Sequence, residues 1–272
     1  MGTNASGNAA ITSVASSICA ALQTAEPRAK VMAARSAARA WRQGQLAFTF
    51  DAMLPDQPAW PDQPALLPPA QMPRRGRGSR HGRIAMWHAL AHIEFVAIDL
   101  ALDMAGRFGE GMGPKFVGDF LSVAADEAMH FALIDRKLRA LGSHYGALPA
   151  HGGLWEAARQ TNHDVAARLA IVPMVLEARG LDVTPAMLER VRSQGDMNGA
   201  QILARILDDE IRHVAIGTKH FIAICEKSGE TPQKRWKSLV KTYFRGSVKP
   251  PFNDSARLAA GLSRDFYASV AS

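Results

Sequence analysis

The pattern Glu-x-x-His occurs twice in this chain of 272 residues, as DEAMH at 126–130 and DEIRH at 209–213, each time inside an apolar helical stretch. Carboxylates in such surroundings are expensive to bury without a compensating partner. Residues three apart on a helix share a face, so Glu127 with His130, and Glu210 with His213, can each reach a common point. A lone glutamate stands one helix upstream of each pair: Glu94 in AHIEFVAIDLALD and Glu177 in IVPMVLEARGLDV. Glu94 precedes Glu127 by 33 residues, and Glu177 precedes Glu210 by 33; each lone glutamate is followed five positions later by an aspartate, Asp99 or Asp182. The chain therefore carries two helix pairs with matching ligand placement. One Glu from each of two helices and one Glu-x-x-His from each of the other two is the donor set of a dinuclear carboxylate centre. Carboxylate plus imidazole suits Fe(II) or Mn(II), and also Zn(II). The candidate metal ligands are Glu94, Glu127, His130, Glu177, Glu210 and His213, and bound dications would offset the desolvation of the acids among them.

The helical pattern around these residues is long. One helix is expected over 83–107, stopping near Gly109 and Gly111, and a second from Pro114 to Gly142. A third is expected from Leu154 to Arg179, capped by Gly180 and kinked near Leu169 by Pro173, followed by a short helix capped by Thr184. The fourth runs over 197–227 and ends at Gly229; Thr231-Pro232 opens a further helix to Phe244, and a short one follows Asn253 or Asp254. Residues 8–48 read as helix broken near Pro27. Between Pro55 and Pro73 the chain holds seven prolines and repeats PDQPA, which excludes helix and favours extended geometry. Trp60, Leu66 and Leu67 within it call for a surface to lie on. His88 and His92 share a helix with Glu94 but point well away from it, so packing or contact with the proline arm is expected of them.

Composition excludes several classes. Hydrophobic residues make up 47% of the chain, enough for one sizeable core. Cys19 and Cys225 form no CxxC pair, which fits a reducing, cytoplasmic compartment. The most apolar window, 84–105, contains His88, His92, Glu94, Asp99 and Asp103, too many polar groups for a lipid-facing span. The first residues lack the basic start and apolar run of a secretory signal; Arg28, Lys30, Arg35, Arg39 and Arg42 against Glu26 match an organelle transit peptide in composition, with a docked amphipathic helix as the reading adopted. The net charge of +7 and the stretch Arg74, Arg75, Arg77, Arg80, Arg83 allow an anionic partner such as RNA. That stretch offers no aromatic stacking platform, which disfavours RNA, and its arginines could instead pair with acids such as Glu110 or Asp119.

The segments GRIAMWHALAHIEFVAIDLALD, DEAMHF, LEARGLD, DDEIRHV and PPFNDSARLAAG resemble the ferritin-like superfamily and, more narrowly, an uncharacterised bacterial ferritin-like family of unknown function. The resemblance covers residues 50–265 and all six ligand positions. It implies an all-α ferritin-like four-helix bundle over 83–229, with a helical and Pro/Arg-rich arm over 1–82 packed on it and a helical extension over 230–272. It implies two iron ions, with manganese fitting the same ligands. The D-E-x-R-H form of 209–213 resembles the di-iron monooxygenases, where this aspartate bonds the histidine of the opposite helix; by that likeness Asp209 pairs with His130 and Asp126 with His213. Asp99 and Asp182 are expected near Arg107 or Arg179. The function expected is O2-dependent oxidation of a small organic substrate, fed by an electron donor, in a chain that a dimer would suit. The alternatives are a tRNA-modifying hydroxylase and a non-catalytic iron store.

Overall fold

Capping residues mark where the helices begin. The side chains of Ser13, Glu26 and Ser79 accept hydrogen bonds from the backbone N–H groups of Ser16, Ala29 and Gly82, satisfying first-turn donors that have no partner inside the helix. They open α1 (Val14–Leu22), α2 (Pro27–Arg42) and α3 (Arg80–Met112). The computed structural model describes residues 12–73 and 79–270. The start of the helix expected over 8–48, the first part of the transit-like segment, and Arg74, Arg75 and Arg77 lie outside the described residues; the rest of that range forms α1 and α2, with the break before Pro27. α4 (Pro114–Ala140), α5 (Gly153–Arg159), α6 (Val165–Ile171), α7 (Ala178–Ser193), α8 (Met197–Ser228), α9 (Pro232–Tyr243), α10 (Asp254–Ala259) and α11 (Arg264–Tyr267) follow. The described residues are helical apart from loops and two isolated bridges, Ser13 to Ala47 and Leu66 to Ala150.

Gly113 alone joins α3 to α4, with φ of +91° that a side chain would resist, and Pro114 starts α4 at a position that needs no N–H. The two long helices therefore fold back antiparallel and pack along each other, with Phe95 against Phe131 at 5.3 Å between centroids. α7 and α8 form a second antiparallel pair through the turn at Gly195 (φ +77°), and α4 meets α8 to join the pairs. α1 and α2 cover the outer side of α3 and α4. α3 is long and apolar enough to cross a membrane, yet 78% of its apolar window is buried inside this fold, and the helix buries Glu94, Asp99 and Asp103 along its length.

The third expected helix is built differently. It breaks over 160–164, and Asp164 restarts it by accepting from Ala166 and Ala167 N–H. Residues Val172–Glu177 then form a π-helical turn containing Pro173. Gly180 ends no helix and Thr184 opens none: both lie inside α7, which continues through Pro185. A proline there removes the N–H that would bond the Leu181 carbonyl one turn back. Asn253, from the C-terminal segment, supplies the missing donor through its side-chain amide at 3.1 Å. Close approach of α8 to the π turn is licensed by Gly217, where a Cβ would fall 2.4 Å from Pro173.

Buried charges tie the outer layers to the long helices. Lys30 on α2 meets Asp99 on α3 at 2.5 Å, both fully buried, and Trp60 donates to the same carboxylate at 2.8 Å. Arg257 grips Asp182 with two bonds of 2.8 and 2.7 Å, while Arg179 is 3.5 Å from it. The expected partner for Asp99, Arg107, instead bonds Asp103, which also receives Arg168. Desolvation sets these choices: a fully buried carboxylate needs a cation that is buried with it. The proline segment lies on α3 and the loop before α5, through Trp60 edge-on to Trp155 and the Leu67 N–H on the Ala150 carbonyl; Leu66 itself stays exposed.

Candidate metal centre

Helix register brings the acids and imidazoles to one place. Glu94 comes from the middle of α3, Glu127 and His130 from α4, and Glu210 and His213 from α8, and all five are buried. Ligand-capable atoms of Glu94, Glu127, His130 and Glu210 lie within 4.8 Å of one another. This cluster can hold a metal ion. His213 stands beside it, its Nδ1 2.9 Å from Glu127 Oε1 and 3.5 Å from Glu210 Oε1. Glu177 closes the π turn and shares a cavity wall with Glu94, Glu127 and Glu210; it is half-buried because it faces that cavity. Of the six residues singled out in the sequence, four converge tightly, His213 adjoins them, and Glu177 faces them across open space. A π turn places its last side chain off the α-helical register, and such turns recur at functional sites.

Both histidines are held the same way. His130 Nδ1 lies 3.3 Å from Glu94 Oε2 and from Glu127 Oε2, while its Nε2 lies 3.1 Å from Asp209 Oδ2. His213 turns Nδ1 toward Glu127 and Glu210, and its Nε2 is 3.4 Å from Asp126 Oδ2. An aspartate accepting from Nε2–H would leave Nδ1 free to face a metal once its own proton is lost, the arrangement metal-binding imidazoles adopt. Arg205 secures Asp209 at 2.6 Å, and Arg212 bonds Asp126 at 2.8 Å and Asp209 at 3.2 Å, bridging the two. The D-E-x-R-H spelling contained Arg212; its clamp across both aspartates needs the relative placement of α4 and α8. Arg205 was legible as the residue four before Asp209.

The electrostatics show what the cluster lacks. Burial, reinforced by the Glu127 charge, pushes Glu94 well above the usual carboxylate range. Burial, with Glu210 and Glu127 adding to it, does the same to Glu177, and Glu210 is raised for the same reasons. Glu127 goes the other way: burial opposes its charge, but bonding to His130 and the His213 charge hold it well below that range. Burial disfavours the His130 cation, yet its bonds to Glu127 and Glu94 push it up to about 11. The cluster thus balances its own charge with protons. Glu127 Oε1 and His213 Nδ1 are buried and face each other at 2.9 Å, with no hydrogen-bond partner outside the cluster itself. A cation between them would satisfy both, so the residues present fit a metal. His88 and His92 take no part: His88 Nε2 accepts from Gly146 N–H at 3.0 Å, and His92 Nδ1 meets the Tyr145 hydroxyl at 2.9 Å. Asp119 is engaged by Lys115 and His220, and Arg80 by the Leu141 carbonyl, so the expected pairing of the Arg-rich stretch with Asp119 is not formed by the described residues.

Residues 23–268 match the family described as "Protein of unknown function (DUF455)". The chain belongs to that family. It is also 43% identical over 212 residues to an uncharacterized protein of Haemophilus influenzae, covering 76% of this chain and 74% of that one. No solved structure matches the chain significantly.

Proposed function

We propose that this chain is a ferritin-like four-helix bundle holding two iron ions, with manganese as the fitting substitute, and that it oxidises a small organic substrate with O2. The observation that carries the reading is the matched pair of half-sites. Each half-site joins a lone Glu, a Glu-x-x-His, and an aspartate behind the imidazole. Glu94, Glu127 and His130 would hold one ion, and Glu177, Glu210 and His213 the other. Glu127, within 3.3 Å of both imidazoles, stands where a carboxylate shared between ions would stand. A bound pair of such ions supplies O2 reduction by electrons that an external donor must deliver.

The chain's own residues do the rest. Asp209 and Asp126 keep each imidazole in one tautomer and raise its basicity. Burial opposes the charge on both aspartates, but His213 and Arg212 hold Asp126, and Arg205, His130 and Arg212 hold Asp209, below the ordinary range. Protons on Glu94, Glu177 and Glu210 leave when a cation arrives. Apolar side chains wall the cavity beside the carboxylates and suit an uncharged molecule. That wall favours a substrate oxidase over an iron store, whose ions need a polar way in. RNA is not favoured, and a reducing cytoplasmic setting suits the two free cysteines. Anaerobic Fe(II) titration tests the reading: saturation at about two ions per chain supports it, since six ligands suit two ions, and saturation at one ion sinks it.

A further inference from the structure

We infer that the gap between α3 and α7 is a binding site for an uncharged, apolar molecule of single-ring size, which meets the four glutamates end-on. This rests on the proposed function for its chemical purpose. The geometry stands apart from it. α3 packs on α4, α1, α2 and α5, whereas α7 packs on α8, α10 and the π turn. The space between α3 and α7 holds a cavity of about 180 Å³. Leu90, Ile93 and Ala97 form its α3 wall; Leu176, Val183 and Met187 form the wall opposite. Glu94, Glu127, Glu177 and Glu210 line it too, and neither His130 nor His213 does. Ile93, an apolar side chain with 45% of its surface exposed, marks the open side.

Size sets the class of ligand. An apolar cavity of about 150 Å³ stays dry and accepts benzene, so this one holds one ring with a small substituent. Charge narrows it further. An anion would meet no free cation among the described residues that line the cavity. The one cation in the wall, Arg179, is already spent on the Lys249 and Pro251 carbonyls and Asp182. Among the described residues that line the wall, Thr184 is the one uncharged polar side chain, and it can meet a hydroxyl or carbonyl on the ligand. Gly180 is the second observation pointing to a kept space. It sits inside α7, where glycine costs about 1 kcal/mol relative to alanine. A Cβ there would meet nothing within 4 Å, so a side chain at 180 would project into open room beside the cavity.

The experiment uses the full-length, metal-free protein with toluene, benzyl alcohol and benzoate as probes, followed by calorimetry and thermal shift. Toluene and benzyl alcohol should bind once per chain, and benzoate at least about tenfold more weakly. Gly180→Leu, which favours helix, should keep its circular dichroism and weaken toluene by about tenfold or more. Ala97→Leu, filling the opposite wall, should do the same. No binding of toluene or benzyl alcohol to the folded protein would overturn the inference. So would unchanged affinity in both variants, or benzoate binding the tightest. Iron counting on the same samples separates the two readings. Toluene bound by protein that takes up no iron supports the cavity and sinks the oxidase; iron taken up without toluene binding does the reverse.

Discussion

Asp209→Asn removes the charge behind His130 while keeping the side chain's shape. The carboxylate now accepts from His130 Nε2 at 3.1 Å, Arg205 Nε at 2.6 Å and Arg212 at 3.2 Å. Loss of such a partner behind a metal-bound imidazole costs about 10–100-fold in metal affinity, or about 1.4–2.8 kcal/mol. The metal-free fold should lose stability as well, because fully buried His130 leans on the Asp209 charge, whereas Arg205 adds little. Arg205 is 57% exposed, and ion pairs of that kind contribute about 0–1 kcal/mol. Asp208→Asn is the matched control, because Asp208 is exposed on the next position of the same helix. The assay is anaerobic Fe(II) or Mn(II) calorimetry beside urea unfolding of the metal-free protein. Asp209→Asn should lose metal affinity and unfold at lower urea while keeping its helical circular dichroism; Asp208→Asn should change none of these. Equal metal affinity in Asp209→Asn and wild type would refute the role given to Asp209, as would equal losses in both variants.

Other outcomes follow from the same contacts. Lys30→Met strands Asp99, and breaking a buried pair costs about 3–5 kcal/mol. Burial, offset in part by Lys30, holds Asp99 at about 6; without Lys30 it rises further, so the variant should lose stability progressively as pH climbs above the ordinary carboxylate pKa of about 4, and a loss independent of pH would count against the pairing. Asn253→Ala leaves the Leu181 carbonyl unbonded and α10 uncapped, which should lower stability by about 2–4 kcal/mol in urea titration; no change would mean that Pro185 is tolerated some other way. Gly217→Ala drives a methyl to 2.4 Å from Pro173 and should destabilise by about 1–3 kcal/mol, with weaker metal binding as the π turn shifts. Metal affinity itself should rise between pH 6 and 8. Glu94 and Glu177 are raised by burial, and His130 by its bonds to Glu127 and Glu94, to about 11; each must shed protons to ligate, so affinity that falls with pH would contradict the assignment.

The sequence displayed whatever depends on one helix at a time. The spacing of Glu127 and His130 fixes their shared face, and the equal intervals from Glu94 and Glu177 tie two helix pairs to one pattern. The all-helical class follows from long apolar periodicities with capping residues at their starts. What stayed hidden depends on partners far along the chain. Pro185 looked like the start of a short helix, because the donor that lets it sit mid-helix is Asn253, which is 68 residues away. Asp99 looked like a partner for Arg107, because its true cation, Lys30, arrives with a helix 69 residues earlier. The π turn was visible only as a kink at Pro173. The cavity had no sequence signal, since it is the space that α3 and α7 leave between them.

The central claim is that this family member binds a pair of metal ions, and ion counting with Mössbauer spectroscopy on 57Fe-loaded protein tests it most directly. About two irons per chain, coupled to each other after exposure to O2, is the expected result for six ligands around a shared centre. One iron per chain with an isolated paramagnetic signal, or loading that survives replacement of Glu127 and Glu210 together by alanine, would contradict it.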